Sequence, residues 1–213
     1  MDNGTVVAVG DTLHTLGPGR RSWQAELMVR DRVELERLVA AGKRFRYVLF
    51  WGHEPERDGS LGPGCLSQWW PAPFVVDGVR YATTEHFMMA GKARTFGDEQ
   101  TLAEILAVPS PAQAKALGRK VRNFDTAIWA EHRFDIVVAA NAAKFSQYDD
   151  LRAYLLGTKD RVLVEASPVD RIWGIGLAAD DVRAQEPRQW RGLNLLGFAL
   201  MAVRRELAGD TPG

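Results

Sequence analysis

Late in the chain, apolar residues recur at helical spacing: Leu196, Leu200, Val203 and Leu207 share one stripe. Gly192–Gly197 is therefore expected to open a last helix that buries this face. Phe134–Phe145 is apolar on most sides, which predicts a long, central, buried helix from about Thr126 to Tyr148, capped by Asn123 or Asp125. Shorter helices are punctuated by caps and breakers. Asp31 caps a segment through Val33, Leu35, Leu38 and Val39 to a stop at Gly42. Asp98 starts a helix from Glu99 to Ala107, Ser110-Pro111 starts one from Ala112 to Lys120, and Asp149-Asp150 starts one ending at Gly157. Phe45–Trp51 is aromatic and β-branched and predicts a strand, as does Val162–Glu165. Val75–Tyr81 places Asp77-Gly78 between β-formers, a two-residue hairpin signal.

Irregular stretches join these elements. Residues 56–64 are loop by composition, and the prolines of Leu66–Phe74 hold Trp69 and Trp70 on irregular backbone. Ala166–Gly176 is bounded by Pro and Gly and carries Asp170, Arg171 and Trp173; residues 178–191 form a polar loop. Residues 1–22 read as a Gly-rich lead-in with a short strand at Val6–Val9. The pattern predicts an α+β fold: a helix-rich single domain with a small antiparallel sheet. Residues 1–45 are expected to form an N-terminal extension packed on the domain, 46–208 the domain itself, and 209–213 a tail.

The hairpin delivers the chain into Thr83–Ala93, where a threonine precedes a run of helix formers. Glu85, Met88, Met89 and Lys92 then share a face, a carboxylate and an ammonium two turns apart with flexible apolar side chains between them; Phe87 points the opposite way. That face suits the floor of a ligand site. It equally suits a helix whose acid and base complement its macrodipole.

Composition narrows the chemistry. The 213 residues carry 27 Lys and Arg against 27 Asp and Glu, and zero net charge argues against wholesale phosphate-backbone binding while leaving room for a local basic pocket. Cys65 is the single cysteine, so no intrachain disulfide forms, and a structural thiol is expected. No signal-peptide pattern or membrane-length apolar run is present, and a reducing, cytoplasmic setting is expected. The four histidines are scattered, with no zinc spacing; there is no phosphate-cradling P-loop, no dinucleotide fingerprint and no nucleophile elbow. No metal and no cofactor are expected. What remains is a carboxylate, a lysine, an Asp-Arg pair and many rings, including seven tryptophans. Such a set suits cleavage of a glycosidic bond. A carboxylate stabilises the oxocarbenium charge on the sugar, a base activates water, and rings such as Phe50, Trp51, Trp70 and Phe74 stack on a nucleobase. Arg46, Arg171 and Lys144 are phosphate candidates. Asn141, inside the longest helix, is either a core amide or a ligand contact.

The chain resembles the YbiA-like, or NADAR, family from about Phe50 to Leu207. The resemblance rests on ordered blocks: Phe50-Trp51; Leu66-Ser67 with Trp70-Pro71 and Phe74; Asp77-Gly78; Thr84-Glu85-His86-Phe87 with Ala90 and Lys92-Ala93; Lys144-Phe145 through Thr158; Leu163-Val164-Glu165; Asp170–Gly176; and Gly192 through Arg204. It implies a YbiA-like fold and an N-glycosidase acting on an N-ribosyl bond. Two substrate classes go with it: ADP-ribose on a guanine base of nucleic acid, and phosphoribosylated pyrimidine intermediates of riboflavin synthesis. By matching position, Glu85 would be the catalytic carboxylate, Trp173, Gly174 and Asp170 would line the sugar site, and Lys92 and Asn194 would complete it. Some members carry Trp-Gly-Asp-Gly where this chain has Trp173-Gly174-Ile175-Gly176, which leaves Asp170 as the second carboxylate. The helix N-terminus predicts an ionised Glu85 that serves as base or oxocarbenium stabiliser, with Asp170 or water protonating the leaving base. A variant uses Lys92 as an amine nucleophile forming a Schiff base. The expected partner is a small ribosyl or ADP-ribosyl substrate, free or on nucleic acid, and no membrane. The rival classes are a non-catalytic ADP-ribose or nucleotide reader and a structural partner-binding domain.

Overall fold

Side-chain caps begin the helices where short polar residues precede apolar runs. The computed structural model describes residues 29–209, so the strand expected at Val6–Val9 lies outside the described residues. Asp31 accepts from the Glu34 amide and opens α1 (Arg32–Ala40). Thr83 accepts from His86 N and opens α2 (Thr84–Thr95). Asp98 opens α3 (Glu99–Ala107), and a reciprocal Ser110–Gln113 capping box opens α4 (Pro111–Gly118). Asp125 opens α5 (Thr126–Ser146), which is followed by α6 (Asp149–Gly157) and α7 (Leu195–Leu207).

Among the described residues, two strand pairs accompany these seven helices. β2 (Phe74–Val76) and β3 (Val79–Tyr81) form the antiparallel hairpin, turned by Asp77 (φ 50°) and Gly78 (φ 76°). Positive φ at both central residues is what a primed two-residue turn requires. β1 (Tyr47–Phe50) pairs with β4 (Val162–Glu165) in parallel, with Phe50 opposite Glu165. The α+β expectation holds, with the antiparallel ladder confined to the hairpin. The parallel pair joins segments more than a hundred residues apart, a pairing no local pattern specifies.

The layers stack in an order that leads to the ends of this parallel pair. α2 packs on α3, α4 and α5; α5 packs on α7; and α7 packs on β4. Gly197 in α7 lies so close to the sheet that an added methyl would overlap the Leu163 carbonyl oxygen. α5 is less buried than its composition predicts. Residues 126–132 are exposed or half-buried, and full burial begins at Val137, where the helix meets α2 and α7. Met88 and Met89 on α2 are core residues rather than a ligand floor, and Phe87 stacks among Phe74 and Tyr81.

The irregular Cys65–Val75 segment is tied down on two sides. Lys144 of α5 is fully buried and donates to the carbonyls of Cys65 (2.6 Å) and Ser67 (3.1 Å). Below it, Tyr148 Oη donates to Pro73 O, and Gln147 both donates to and accepts from the backbone of Val75. On the other side the Gln68 carbonyl accepts from Glu85 N and Thr84 Oγ1, both at 3.0 Å. Trp69 and Trp70 are thus held between the end of α5 and the start of α2. Replacing Lys144 by Met takes the buried donor from the Cys65 carbonyl and leaves the Ser67 carbonyl with the Trp70 amide alone. Urea denaturation of Lys144→Met is expected to show a loss of about 3 kcal/mol.

Candidate active site

A cavity of about 780 Å³ opens where β1 and β4 end. Phe50 and Trp51 leave β1 on one side; Glu165 and Ser167 leave β4 on the other. Trp69 comes from the pinned segment, Lys115 from α4 and Arg119 from its C-cap, and Asp170, Arg171 and Ile172 from the loop after β4. His53 completes the wall beside Trp69, their ring centroids 5.7 Å apart. The site combines rings with three cations, and carboxylates lie at its base.

Those carboxylates are electrostatically coupled. Glu85, in the first turn of α2, is 2% exposed and its Oε1 has no hydrogen-bond partner. Burial pushes its carboxyl up to about 7, Asp170 pushes the same way, and Lys115, a hydrogen bond from the Trp69 side chain and Arg119 pull it back. The helix N-terminus alone predicts an ionised Glu85, but loss of solvent is the larger effect. Glu165 is half-buried as a residue, yet its Oε2 is shut off from solvent without a partner. Burial, then Asp170 and Glu85, push it up to about 8 against the pull of Lys115. Glu85 is among the charges that raise Glu165, so as pH falls toward neutrality Glu165 takes up its proton first. The cations and Trp69 favour the charge on Glu85, which leaves the proton on Glu165.

Asp170 also builds the loop. One oxygen accepts the amides of Ile172 and Trp173, both at 2.8 Å, and its own amide donates to Ser167 Oγ. Among the described residues, no group of three or more His, Cys, Asp or Glu is arranged to hold a metal ion. No helix of the described residues is long and apolar enough to cross a membrane.

The predicted site residues divide by position. Phe50, Trp51, Asp170 and Arg171 line the cavity, and Glu85 lies buried beside them. Trp70 lines a neighbouring cavity. Lys92 stands seven residues, about 10 Å of helix rise, beyond Glu85. Its Nζ donates to Gly118 O at 2.8 Å and lies 3.9 Å from the Phe124 ring centroid. Phe74 is a core ring stacked on Tyr81, and Trp173 is likewise buried. Asn141 donates to Val137 O within its own helix. Lys144 serves the Cys65–Ser67 turn, with burial pushing its ammonium down to about 7. Asn194, left-handed at φ 57°, is a tie: its amide donates to Leu163 O and accepts Glu165 N, both at 2.9 Å. Gly174 passes so close to β4 that a side chain there would meet Glu165 O, and Ile175 is fully buried. Arg46 pairs with Asp160 on the surface.

His53, Trp69, Lys115, Arg119 and Glu165 are cavity residues that sequence reasoning did not single out. The available signals were an acid ending an apolar strand and two cations at i and i+4 along a short helix and its C-cap.

Comparison with known proteins gives a consistent family. Residues 49–208 match the NADAR domain. An N-glycosidase of Acanthamoeba polyphaga mimivirus is 42% identical over 166 residues, covering 76% of this chain and 96% of that protein. The chloroplastic riboflavin biosynthesis protein PYRR of Zea mays is 34% identical over 139 residues, covering 62% of this chain and 20% of that protein. The NMR structure of the Escherichia coli protein YbiA superposes with a TM-score of 0.63 at 29% identity, covering 79% of this chain and 88% of that one.

The raised carboxyls dictate a pH dependence of stability. Between the unfolded value and the raised folded value, the folded state binds more protons, so each acid makes stability fall as pH rises. The window runs from about 4.5 to about 7 for Glu85 and to about 8 for Glu165. A Glu85→Gln/Glu165→Gln double variant removes both terms. Its unfolding free energy relative to the unmutated chain is expected to climb between pH 5 and pH 8, by at most about 1.4 kcal/mol per pH unit per carboxylate. Urea titrations at stepped pH measure it, and a pH-independent difference would contradict the shifts.

Proposed function

This chain belongs to the NADAR domain family, and we propose that its cavity hydrolyses the N-ribosyl bond of a phosphorylated substrate, removing ADP-ribose from a guanine base. The enzyme class is N-glycosidase, a hydrolase of N-glycosyl bonds. The observation that carries the mechanism is the coupled pair of buried carboxylates beneath an aromatic and cationic cavity. Breaking an N-ribosyl bond needs a proton on the departing base and negative charge beneath the sugar. Glu165 donates its proton to the leaving nitrogen as the bond to the anomeric carbon breaks. Ionised Glu85 stabilises the oxocarbenium and takes a proton from the attacking water, whose oxygen forms the new bond to that carbon. Exchange with solvent then returns both acids to their starting states. Trp51 and Trp69 stack on the base, while Lys115, Arg119 and Arg171 take phosphate oxygens. Asp170 acts through its field and through the loop it holds. Lys92 acts by position: its hydrogen bond to Gly118 O secures the end of α4, the helix that carries Lys115 and, at its C-cap, Arg119.

A second substrate class is favoured by the maize relative, whose name places it in riboflavin biosynthesis. A phosphoribosylated aminopyrimidine presents the same bond and a single phosphate. Incubation with ADP-ribosylated guanine oligonucleotide and, separately, with the phosphoribosylated pyrimidine, followed by mass spectrometry of released base and sugar, decides between them. Release from neither would sink the hydrolase reading.

Glu85→Gln is expected to lower kcat by about 100- to 10,000-fold with ligand affinity largely kept. The unmutated enzyme should show a bell-shaped kcat/KM profile peaking between the two raised values, about 7 and about 8. Glu165→Gln should lose the basic limb of that profile, and a limb that persists would remove Glu165 from the acid role. Borohydride under turnover should trap no adduct on Lys92.

A further inference from the structure

Between Glu104 and Asp125 the chain carries no acidic residue and four cations, Lys115, Arg119, Lys120 and Arg122. In a chain of zero net charge this is a local concentration of positive charge, of the kind that attracts phosphate. Lys115 and Arg119 line the cavity, whereas Lys120 and Arg122 are exposed outside it, on the connection between α4 and α5. The flanking acids are engaged elsewhere. Asp98 is buried and accepts from Arg122 Nη2 at 2.6 Å and Nε at 3.1 Å, which fixes a guanidinium that stays 61% exposed. Asp125 turns to the Ala127 and Ile128 amides as the cap of α5.

The connection ends in an aromatic ring with a set position. Phe124 is 44% exposed, yet the Phe96 ring meets it edge-on with centroids 5.3 Å apart, and Lys92 Nζ lies 3.9 Å from its centroid. The same ammonium donates to Gly118 O at 2.8 Å, which sets the ring beside the residue that precedes Arg119. Exposed cations on their own are ordinarily just solvated. Here they run on from the two cations of the cavity and finish at a fixed ring. That combination matches an unpaired polynucleotide strand, whose phosphates pair with cations while a base stacks on the ring.

We propose that the α4–α5 connection is the docking track for a single strand that carries the modified guanine. Lys120 takes a backbone phosphate next to that guanine, and Phe124 stacks on an unpaired neighbouring base. The proposal rests on the N-ribosyl hydrolase reading and adds the part of the substrate that lies outside the cavity. It makes Lys120 and Phe124 determinants of strand recognition that take no part in breaking the bond.

Two measurements on the full chain test it. The first needs no turnover: fluorescence anisotropy with a labelled single-stranded oligonucleotide that contains unmodified guanine. Phe124→Ala should weaken binding about tenfold, the value of one lost stacking contact. Lys120→Gln should reduce the slope of log affinity against log salt by about 0.7, the value of one phosphate contact on a single strand. Unchanged binding by both variants, or binding to anionic lipid vesicles and not to the oligonucleotide, would overturn the track. The second compares kcat/KM for ADP-ribosylated guanine within an oligonucleotide and for ADP-ribosylated guanosine alone. Phe124→Ala should lower the first about tenfold and Lys120→Gln several-fold, with the second unchanged in each; Lys120→Gln carries the test if Phe124→Ala does not fold. A loss on both substrates alike, or on neither, removes the track and leaves the hydrolase reading standing. Oligonucleotide binding that depends on Phe124 and Lys120, with neither substrate hydrolysed, does the reverse.

Discussion

The Lys144 ammonium, taken out of water and set against two carbonyl oxygens, is the contact on which the site depends. It fastens the Cys65–Ser67 turn to the end of α5, and that turn carries Gln68 and Trp69 over the start of α2. A buried cation without acceptors would be ruinous, and the buried Cys65 carbonyl without its donor costly. Each therefore enforces the other. The covering segment then shuts Glu85 away from solvent. One interaction at the end of α5 thereby helps to set the environment of Glu85.

That environment works through opposition. Helix α2 offers Glu85 a positive end, and Lys115 and Arg119 add positive field, yet burial outweighs them. Glu165, at the end of β4, experiences burial with less compensation and two acidic neighbours. Two acids of the same type thus acquire different protonation from their surroundings, the arrangement by which one residue gives a proton while the other holds charge. The surrounding polar ties have geometric roles. Asn194 binds β4 through both arms of its amide, and Asp170 folds the loop that forms the rim.

Much of the fold was legible because it is written in local chemistry. Asp31, Thr83, Asp98, Ser110 and Asp125 cap helices, and Asp77-Gly78 turns a hairpin; each effect spans only a few residues. The parallel pairing of β1 with β4 was not legible, since nothing near Tyr47 points to Val162. The site divides along the same line. Glu85 and the Asp170–Arg171 loop stood out by residue type in short motifs. Glu165 read only as the end of the strand Val162–Glu165, and Lys115 and Arg119 carry no local motif, so the tertiary fold alone brings the three to one cavity. Asn141 carried the opposite difficulty: a polar side chain inside an apolar run reads equally as ligand or as core amide, and in the structure it donates to Val137 O of its own helix.

The β1–β4 pair also governs when the site comes into being. Its two strands close a loop of more than a hundred residues, so their contact is entropically late compared with the helical hairpins between them. Helix α2 and its glutamate can be in place while β4 is still searching for its partner. Only when α7 docks and Asn194 clasps β4 does Glu165 reach Glu85. On the ribosome, where the N-terminal part emerges first, the chain carries one acid of the pair long before the other is made. The two acids are thus brought together only in the finished tertiary structure.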